Sequence, residues 1–217
     1  MDTKILRNIS YGLYVITTMD GRRPTGCVAN SVMQITSSPA TVALSMNHDN
    51  HTNKCIKESG KFAVSILAED SNPSLIGTFG FQSGEDVDKF EQVSYEIKEE
   101  VPVLSHVNGY MVFQVIDSIE TSSHTVFLGE MIDGNITGGG TPMTYTYYHN
   151  VVKGKSPKNA PTYQTEESEL KEDDGRPIFK CSICGYVYDG QMPFEELPED
   201  YLCPICKQPK KAFIKES

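Results

Sequence analysis

Four of the six cysteines fall in two short units near the C-terminus, Cys181-Ser182-Ile183-Cys184 and Cys203-Pro204-Ile205-Cys206, with eighteen residues between the pairs. Each C-x-x-C unit presents two thiolates from one tight turn, and two such units close a tetrahedron around a metal ion. The stretch that carries them is too short and too polar to bury an adequate core, so it needs the metal in order to fold. Met1-Asp2-Thr3-Lys4-Ile5-Leu6-Arg7 has neither the apolar core nor the small-residue cleavage site of a secretory leader. A cytoplasmic location is expected, and there paired thiols read as metal or redox sites. On spacing alone, a structural zinc ribbon is the first reading.

The flanking residues point to iron. Phe179-Lys180-Cys181 leads into Cys184-Gly185-Tyr186-Val187-Tyr188-Asp189-Gly190, then Leu197-Pro198-Glu199-Asp200-Tyr201-Leu202-Cys203-Pro204, and finally Pro209-Lys210-Lys211-Ala212-Phe213. This run resembles rubredoxin, the one-iron electron carrier. The resemblance implies Cys181, Cys184, Cys203 and Cys206 as iron ligands in a unit covering 178–217. Tyr186, Tyr188, Phe194, Tyr201 and Phe213 would form an aromatic shell around the site. Gly185 suits a knuckle that needs positive φ, where backbone N–H groups turn toward sulfur and tune the metal. The loop between the knuckles is shorter than in free-standing members. Tyr201 stands where that family usually has Trp, and Lys207 stands where a second knuckle glycine is common.

The rest of the chain must supply whatever such a site serves. Apolar residues make up 38% of the 217, with no long apolar run, which indicates a soluble globular chain without a membrane span. The 29 acidic residues outnumber the 19 basic ones, a net charge of −10. An acidic surface without basic clusters argues against nucleic acid and anionic membranes, and suits docking to a basic patch on a redox partner.

A short helix is expected from Thr3 to about Asn8, capped by Asp2. Strands are expected over Tyr11–Met19, Pro24–Ile35, Ala40–Met46, Lys61–Leu67, Gly109–Ile119, Thr125–Asp133 and Met143–Tyr148. Asp20-Gly21 marks a hairpin turn. His51–Ser59 reads as a helix stopped by Gly60, and Pro73–Phe79 as a second. Many short strands with few helices favour a barrel. Six acids among the nine residues from Glu166 to Asp174 mark a solvated tether.

In the barrel half, Thr25 to Ser38 is a strand that runs into a polar break, and Ala40 to Asn53 is an apolar strand, a polar turn and a helix start. Polar breaks at successive strand ends can line a pocket rim, and the helix start favours an anion such as phosphate. Asn and Ser making ordinary turns is the plain alternative. Ala29-Asn30-Ser31, Ser38-Pro39, Asn47…His51-Thr52, Glu58 to Leu67, Asp86-Val87-Asp88-Lys89-Phe90, Ser123-His124 to Glu130, and Tyr145 to Tyr163 occur in that order. From 1 to 163 the chain thus resembles the flavin reductase-like, flavoredoxin-type FMN-binding split barrel.

That resemblance implies a mainly β fold with a few helices. Asn30, Ser31, Val32 and Met33 would border the flavin ring, and Ser45, Asn47, His51, Thr52 and Asn53 would serve the phosphate. Lys89 and His124 would approach the ring, and Tyr163 would cover the flavin. A surface lysine and a structural histidine are the plain alternatives for Lys89 and His124. Members of the family pair as homodimers. Cys27 and Cys55 read as small buried hydrophobes. No G-x-G-x-x-G is present, so a nicotinamide would stack on the flavin directly.

Together the two halves suggest electron transfer. NADH or NADPH delivers electrons in pairs, FMN can split them, and a one-iron centre takes them singly. A tether of about twenty residues over 164–177 and its flanks spans roughly 25 Å and keeps the two sites at high mutual concentration. Resemblance to fused flavoredoxin–rubredoxin chains implies a flavodiiron protein, reducing O2 or nitric oxide, as acceptor. The alternatives are a zinc-ribbon docking module on an idle FMN-binding barrel, and a flavin reductase that releases reduced flavin.

Overall fold

The computed structural model describes residues 3–152, 177–183, 186–188, 190, 192–205 and 208–216. A short 3-10 helix, Thr3–Asn8, opens the chain. β-Branched residues then build Tyr14–Asp20 (β1), Gly21 takes φ 59° in the turn, and Arg23–Ala29 (β2) returns antiparallel with Asp20 opposite Arg23.

The sequence reading runs one strand from Pro24 to Ile35, and the structure corrects it. The chain breaks at Asn30-Ser31, and Val32–Ser37 (β3) lies on the far edge of the sheet beside Ala40–Asn47 (β4). The physical cause is local pinning. Asn30 is buried, and the Ser31 carbonyl accepts the Ser45 N–H at 3.0 Å, so the chain crosses to β4 and leaves β1.

The helix His51–Ser59 (α1) has the bounds the sequence predicts. Asn50 caps it, its side-chain oxygen accepting the Thr52 N–H at 2.9 Å, and Gly60 ends it at φ 71°, where a Cβ would be strained. Lys61–Ile66 (β5), Ser74–Phe81 (α2), the hairpin Tyr95–Lys98 (β6) and Val101–Leu104 (β7), then Gly109–Glu120 (β8) and His124–Ile136 (β9) follow. The expected strand Met143–Tyr148 is instead a helix, Tyr145–Asn150 (α3). Thr144 caps it by accepting the Tyr147 N–H, and Tyr148 is buried, so tertiary packing overrides the β-propensity of Thr and Tyr.

Seven strands form one antiparallel sheet in the order β2-β1-β5-β8-β9-β4-β3. Cys27 from one edge strand and Val32 from the other pack into the same cluster with Ile16, Leu44, Phe62 and Phe127. The sheet therefore curls onto itself as a barrel with an open seam between β2 and β3. A second cluster, with Leu13, Phe79, Phe90 and Tyr148, lies under α2 and α3.

The short unit pairs Ile178–Cys181 (β10) with Phe213–Glu216 (β11) around its own cluster of Cys181, Phe194, Cys203, Ile205 and Phe213. Phe81 and Val152 pack against that cluster and also against the one under α2 and α3. No described helix is long and apolar enough to cross a membrane.

Candidate metal centre and cofactor face

The two cysteine units fold with one register. The Cys181 N–H donates to the Tyr186 carbonyl at 2.8 Å, and the Cys203 N–H donates to the Gln208 carbonyl at 2.8 Å, five residues on in each case. Outside each loop sits an equivalent antiparallel bridge, Lys180 with Val187 and Leu202 with Pro209. Two equivalent hydrogen-bond registers thus present Cys181 and Cys203, which are 1% and 0% exposed. Cys184, Cys206, Gly185 and Lys207 lie outside the described residues.

The expected aromatic shell is present. Phe194 and Phe213 have ring centroids 4.8 Å apart, Tyr186 and Tyr188 pack edge-on against Phe213 and Phe194, and Tyr201 lies tilted against Phe213. Phe179 stacks on Phe194 at 4.4 Å. Lys210 ties the loop down, its ammonium donating to the Leu197 carbonyl at 2.6 Å and lying 6.0 Å from the Phe194 ring. Paired thiol hairpins within a dry aromatic cluster fit an iron–thiolate centre, because water exclusion and N–H groups near sulfur are what tune such a metal.

In the barrel, strand alternation divides the expected cofactor residues between two faces. Leu44 and Met46 point into the core, and Val32, opposite Leu44, packs against the same cluster. Ala43, Ser45 and Asn47 alternate with them onto the outer face. Register extends that face across three strands. Met33 lies opposite Ala43, Val126 opposite Ser45, and His124 opposite Asn47. The face thus gathers Met33, Ser45, Asn47 and His124, with Ser31 beside Ser45. Asn30 turns inward but stays in reach, its side-chain oxygen accepting the Ser31 hydroxyl at 3.0 Å.

His124 carries the most perturbed group on this face. Burial, and then the neighbouring His48, holds its imidazole below the ordinary value. Its Nδ1 lies 2.8 Å from the Ser123 hydroxyl, while Nε2 is buried without a hydrogen-bond partner among the described residues. Asn47 accepts the Asp49 N–H at 2.8 Å, shaping the turn into α1.

The residues of α1 are placed differently. Asn53 donates to the Met46 carbonyl at 3.0 Å and sits 3.5 Å from the Thr125 hydroxyl, which locks α1 to the sheet. Thr52 is 1% exposed, with its N–H already capped by Asn50. The two ring nitrogens of His51 face carboxylates, Asp20 at 3.2 Å and Glu85 at 3.3 Å. The structure therefore groups Ser45 and Asn47 with His124 and gives His51, Thr52 and Asn53 separate partners.

Lys89 is no surface lysine. It is 4% exposed, and its ammonium donates to the Gly26 carbonyl at 2.8 Å and the Phe79 carbonyl at 3.3 Å. Burial lowers its pKa, partly opposed by the nearby Cys27. Tyr163 lies outside the described residues. An open groove of about 410 Å³ lined by Tyr11, Tyr14, Ile66 and Pro142 holds none of the expected cofactor residues.

Residues 6–156 match the flavin reductase like domain. The chain belongs to that family. Residues 179–214 match the rubrerythrin, rubredoxin-like domain. Together the two domains make the chain an NAD(P)H-dependent oxidoreductase, its flavin reductase domain implying a flavin and its rubredoxin-like domain implying iron. The chain is 41% identical to the high molecular weight rubredoxin of Moorella thermoacetica, over 98% of this chain and 99% of that protein. It is 36% identical to a ferric-chelate reductase (NAD(P)H) of Archaeoglobus fulgidus, over 75% of this chain and 98% of that one. Among solved structures, the native flavin reductase PheA2 is 28% identical with a TM-score of 0.57, covering 66% of this chain and 93% of that one. An NADH:FAD oxidoreductase of Streptomyces globisporus, at 24% identity and TM-score 0.60 over 65% and 84% of the two chains, shows the fold alone.

Proposed function

We propose that the chain takes electrons from NADH or NADPH into an FMN on the outer face of β3, β4 and β9. They pass one at a time to an iron held by Cys181, Cys184, Cys203 and Cys206, and on to a separate redox protein. The observation that carries this reading is the union of both units in one chain, with Phe81 and Val152 packed into both their cores. The relative from Archaeoglobus fulgidus, named for NAD(P)H, supports the nicotinamide as donor. A bound flavin accepts hydride as a pair and releases single electrons, and that is the form an iron–thiolate centre takes.

On this reading Ser31, Ser45 and Asn47 offer polar contacts to the cofactor and Met33 lines its ring, while Val32 backs that face from the core side. His124 borders the ring as a neutral imidazole, and Lys89, held beneath β2 by the Gly26 and Phe79 carbonyls, supplies the positive potential that favours the reduced flavin. Barrel, tether and iron unit occupy 1–163, 164–177 and 178–217, with Tyr163 at the end of the first. The same outer face serves a homodimer, since edge strand β3 exposes Met33 to 62% and Ile35 to 46%, and Ile119, in register with Val126, is 66% exposed. The acceptor is a flavodiiron O2 or nitric oxide reductase in the cytoplasm, met through the acidic surface of this chain.

Anaerobic mixing with NADH tests the order of transfer. Flavin bleaching followed by bleaching of the iron–thiolate bands is expected. Cys203→Ser abolishes the second phase and leaves the first. A colourless metal unit, or loss of both phases in a folded variant, overturns the reading.

A further inference from the structure

Away from the cofactor face, three ligand-type atoms converge at the junction of the β1–β2 hairpin with α1. His51 and Cys55 stand four residues apart and so share one side of α1. His51 Nε2 lies 3.4 Å from Cys55 Sγ and 3.2 Å from Asp20 Oδ2, and the three donor atoms all fall within 4.8 Å of one another. Zinc bonds of about 2.0 to 2.3 Å in a tetrahedron put neighbouring ligand atoms roughly 3.5 Å apart. The cluster already has nearly that spacing.

The surroundings are those of a supported site. Glu85 Oε1 sits 3.3 Å from His51 Nδ1, and a proton held there leaves the Nε2 lone pair facing Cys55 and Asp20. In that tautomer Nε2 and the Asp20 carboxylate meet as two acceptors, an arrangement that a cation would satisfy. Arg23 donates to the same Asp20 Oδ2 at 2.9 Å and to the Gly84 carbonyl at 2.7 Å, which orients the carboxylate, so Oδ1 is the oxygen an ion would take without displacing Arg23. Cys55 is 2% exposed, while the His51 and Asp20 side chains are 14% and 33% exposed, so one side is open for an ion to enter.

A second observation is independent of these donors. Thr25 is 2% exposed, and its hydroxyl has no hydrogen-bond partner among the described residues. That hydroxyl and His51 Cδ2 both border the space left by the missing side chain of Gly84. A buried hydroxyl without a partner is costly, and a metal-bound water would satisfy it.

We propose that Asp20, His51 and Cys55 form a second metal site, separate from the four-cysteine centre, which takes a zinc-type divalent cation with water in the fourth position. The mixed sulfur, nitrogen and oxygen donor set suits a borderline-soft ion better than Mg2+ or Ca2+. On binding, the Cys55 thiol gives up its proton to solvent, and no electron is transferred. The ion would clip the tip of the β1–β2 hairpin to α1.

The test uses the full-length chain carrying flavin and iron, titrated with Zn2+ against a chromophoric zinc chelator. The iron absorption is followed to show that the cysteine centre keeps its metal. One zinc equivalent per chain is expected, weakened by about 100-fold or more in Cys55→Ala and in Asp20→Asn. Zinc should also raise the thermal midpoint of the native protein and leave that of either variant unmoved. Asp20→Asn, at a partly exposed hairpin end, keeps the test decisive if Cys55→Ala folds poorly. Absence of a zinc equivalent in the native chain overturns the proposal and leaves His51 as a ring hydrogen-bonded to two carboxylates. An equivalent that persists in both variants overturns it too.

Discussion

In the short unit, each pair of cysteines lies within four consecutive residues, and one hairpin register, repeated, positions Cys181 and Cys203. In the barrel, Asn47 and His124 become neighbours only because β4 and β9 pair across the intervening chain. The first arrangement is local and is expected to draw its cohesion from the metal. The second is distributed and draws its cohesion from a core that exists without any cofactor. Shape in the one is expected to depend on what is bound; in the other, what binds depends on the shape.

The sharpest way to break that contrast is to remove the metal. A strong chelator under reducing conditions should abolish amide-exchange protection through 178–188 and 201–216, including the Cys181 and Cys203 N–H groups, while β1, β5 and β8 keep theirs. A metal-free short unit that kept its protection would show that the aromatic cluster suffices.

The converse experiment attacks the barrel. Phe62 is fully buried and stacks on Phe113 with centroids 5.1 Å apart. Phe62→Ala should cost the barrel about 3–5 kcal/mol in urea unfolding, from lost burial plus a cavity the sheet cannot close. The iron–thiolate absorption of the short unit should not change. A parallel loss of iron would mean that the two units fold as one.

The same contrast explains what the chain let be read in advance. The rubredoxin-like unit, the aromatic shell and the bounds of α1 were legible because spacing, composition and capping are local signals. The break at Asn30-Ser31 was visible as polarity, but nothing local shows that β3 crosses to the opposite edge of the sheet. Met143–Tyr148 misled for the opposite reason: its Thr and Tyr favour strand, while burial of Tyr148 and the Thr144 cap decide for helix. Lys89 gave no local sign of being buried under β2. His51 and Cys55 carried a readable four-residue spacing, yet Asp20, the residue that turns it into a cluster, belongs to another element.

The smallest effect probes the distributed site through its one strongly placed titrating group. Burial first, and His48 second, hold His124 below its ordinary value of 6.5, because an imidazolium there would lose water and face a second histidine. Between the depressed folded value and 6.5, the unfolded chain binds a proton that the folded chain does not. Stability therefore rises with pH across that window and is lost as pH falls below 6.5, with a slope bounded by about 1.4 kcal/mol per pH unit for one proton. His124→Gln removes the proton site and should flatten this part of the urea-midpoint profile between about pH 5 and pH 7. The iron–thiolate bands should stay unchanged in both proteins, since no knuckle residue contributes to the shift. An unaltered slope in the variant would place the titration elsewhere and deprive the outer face of its pH-sensitive member.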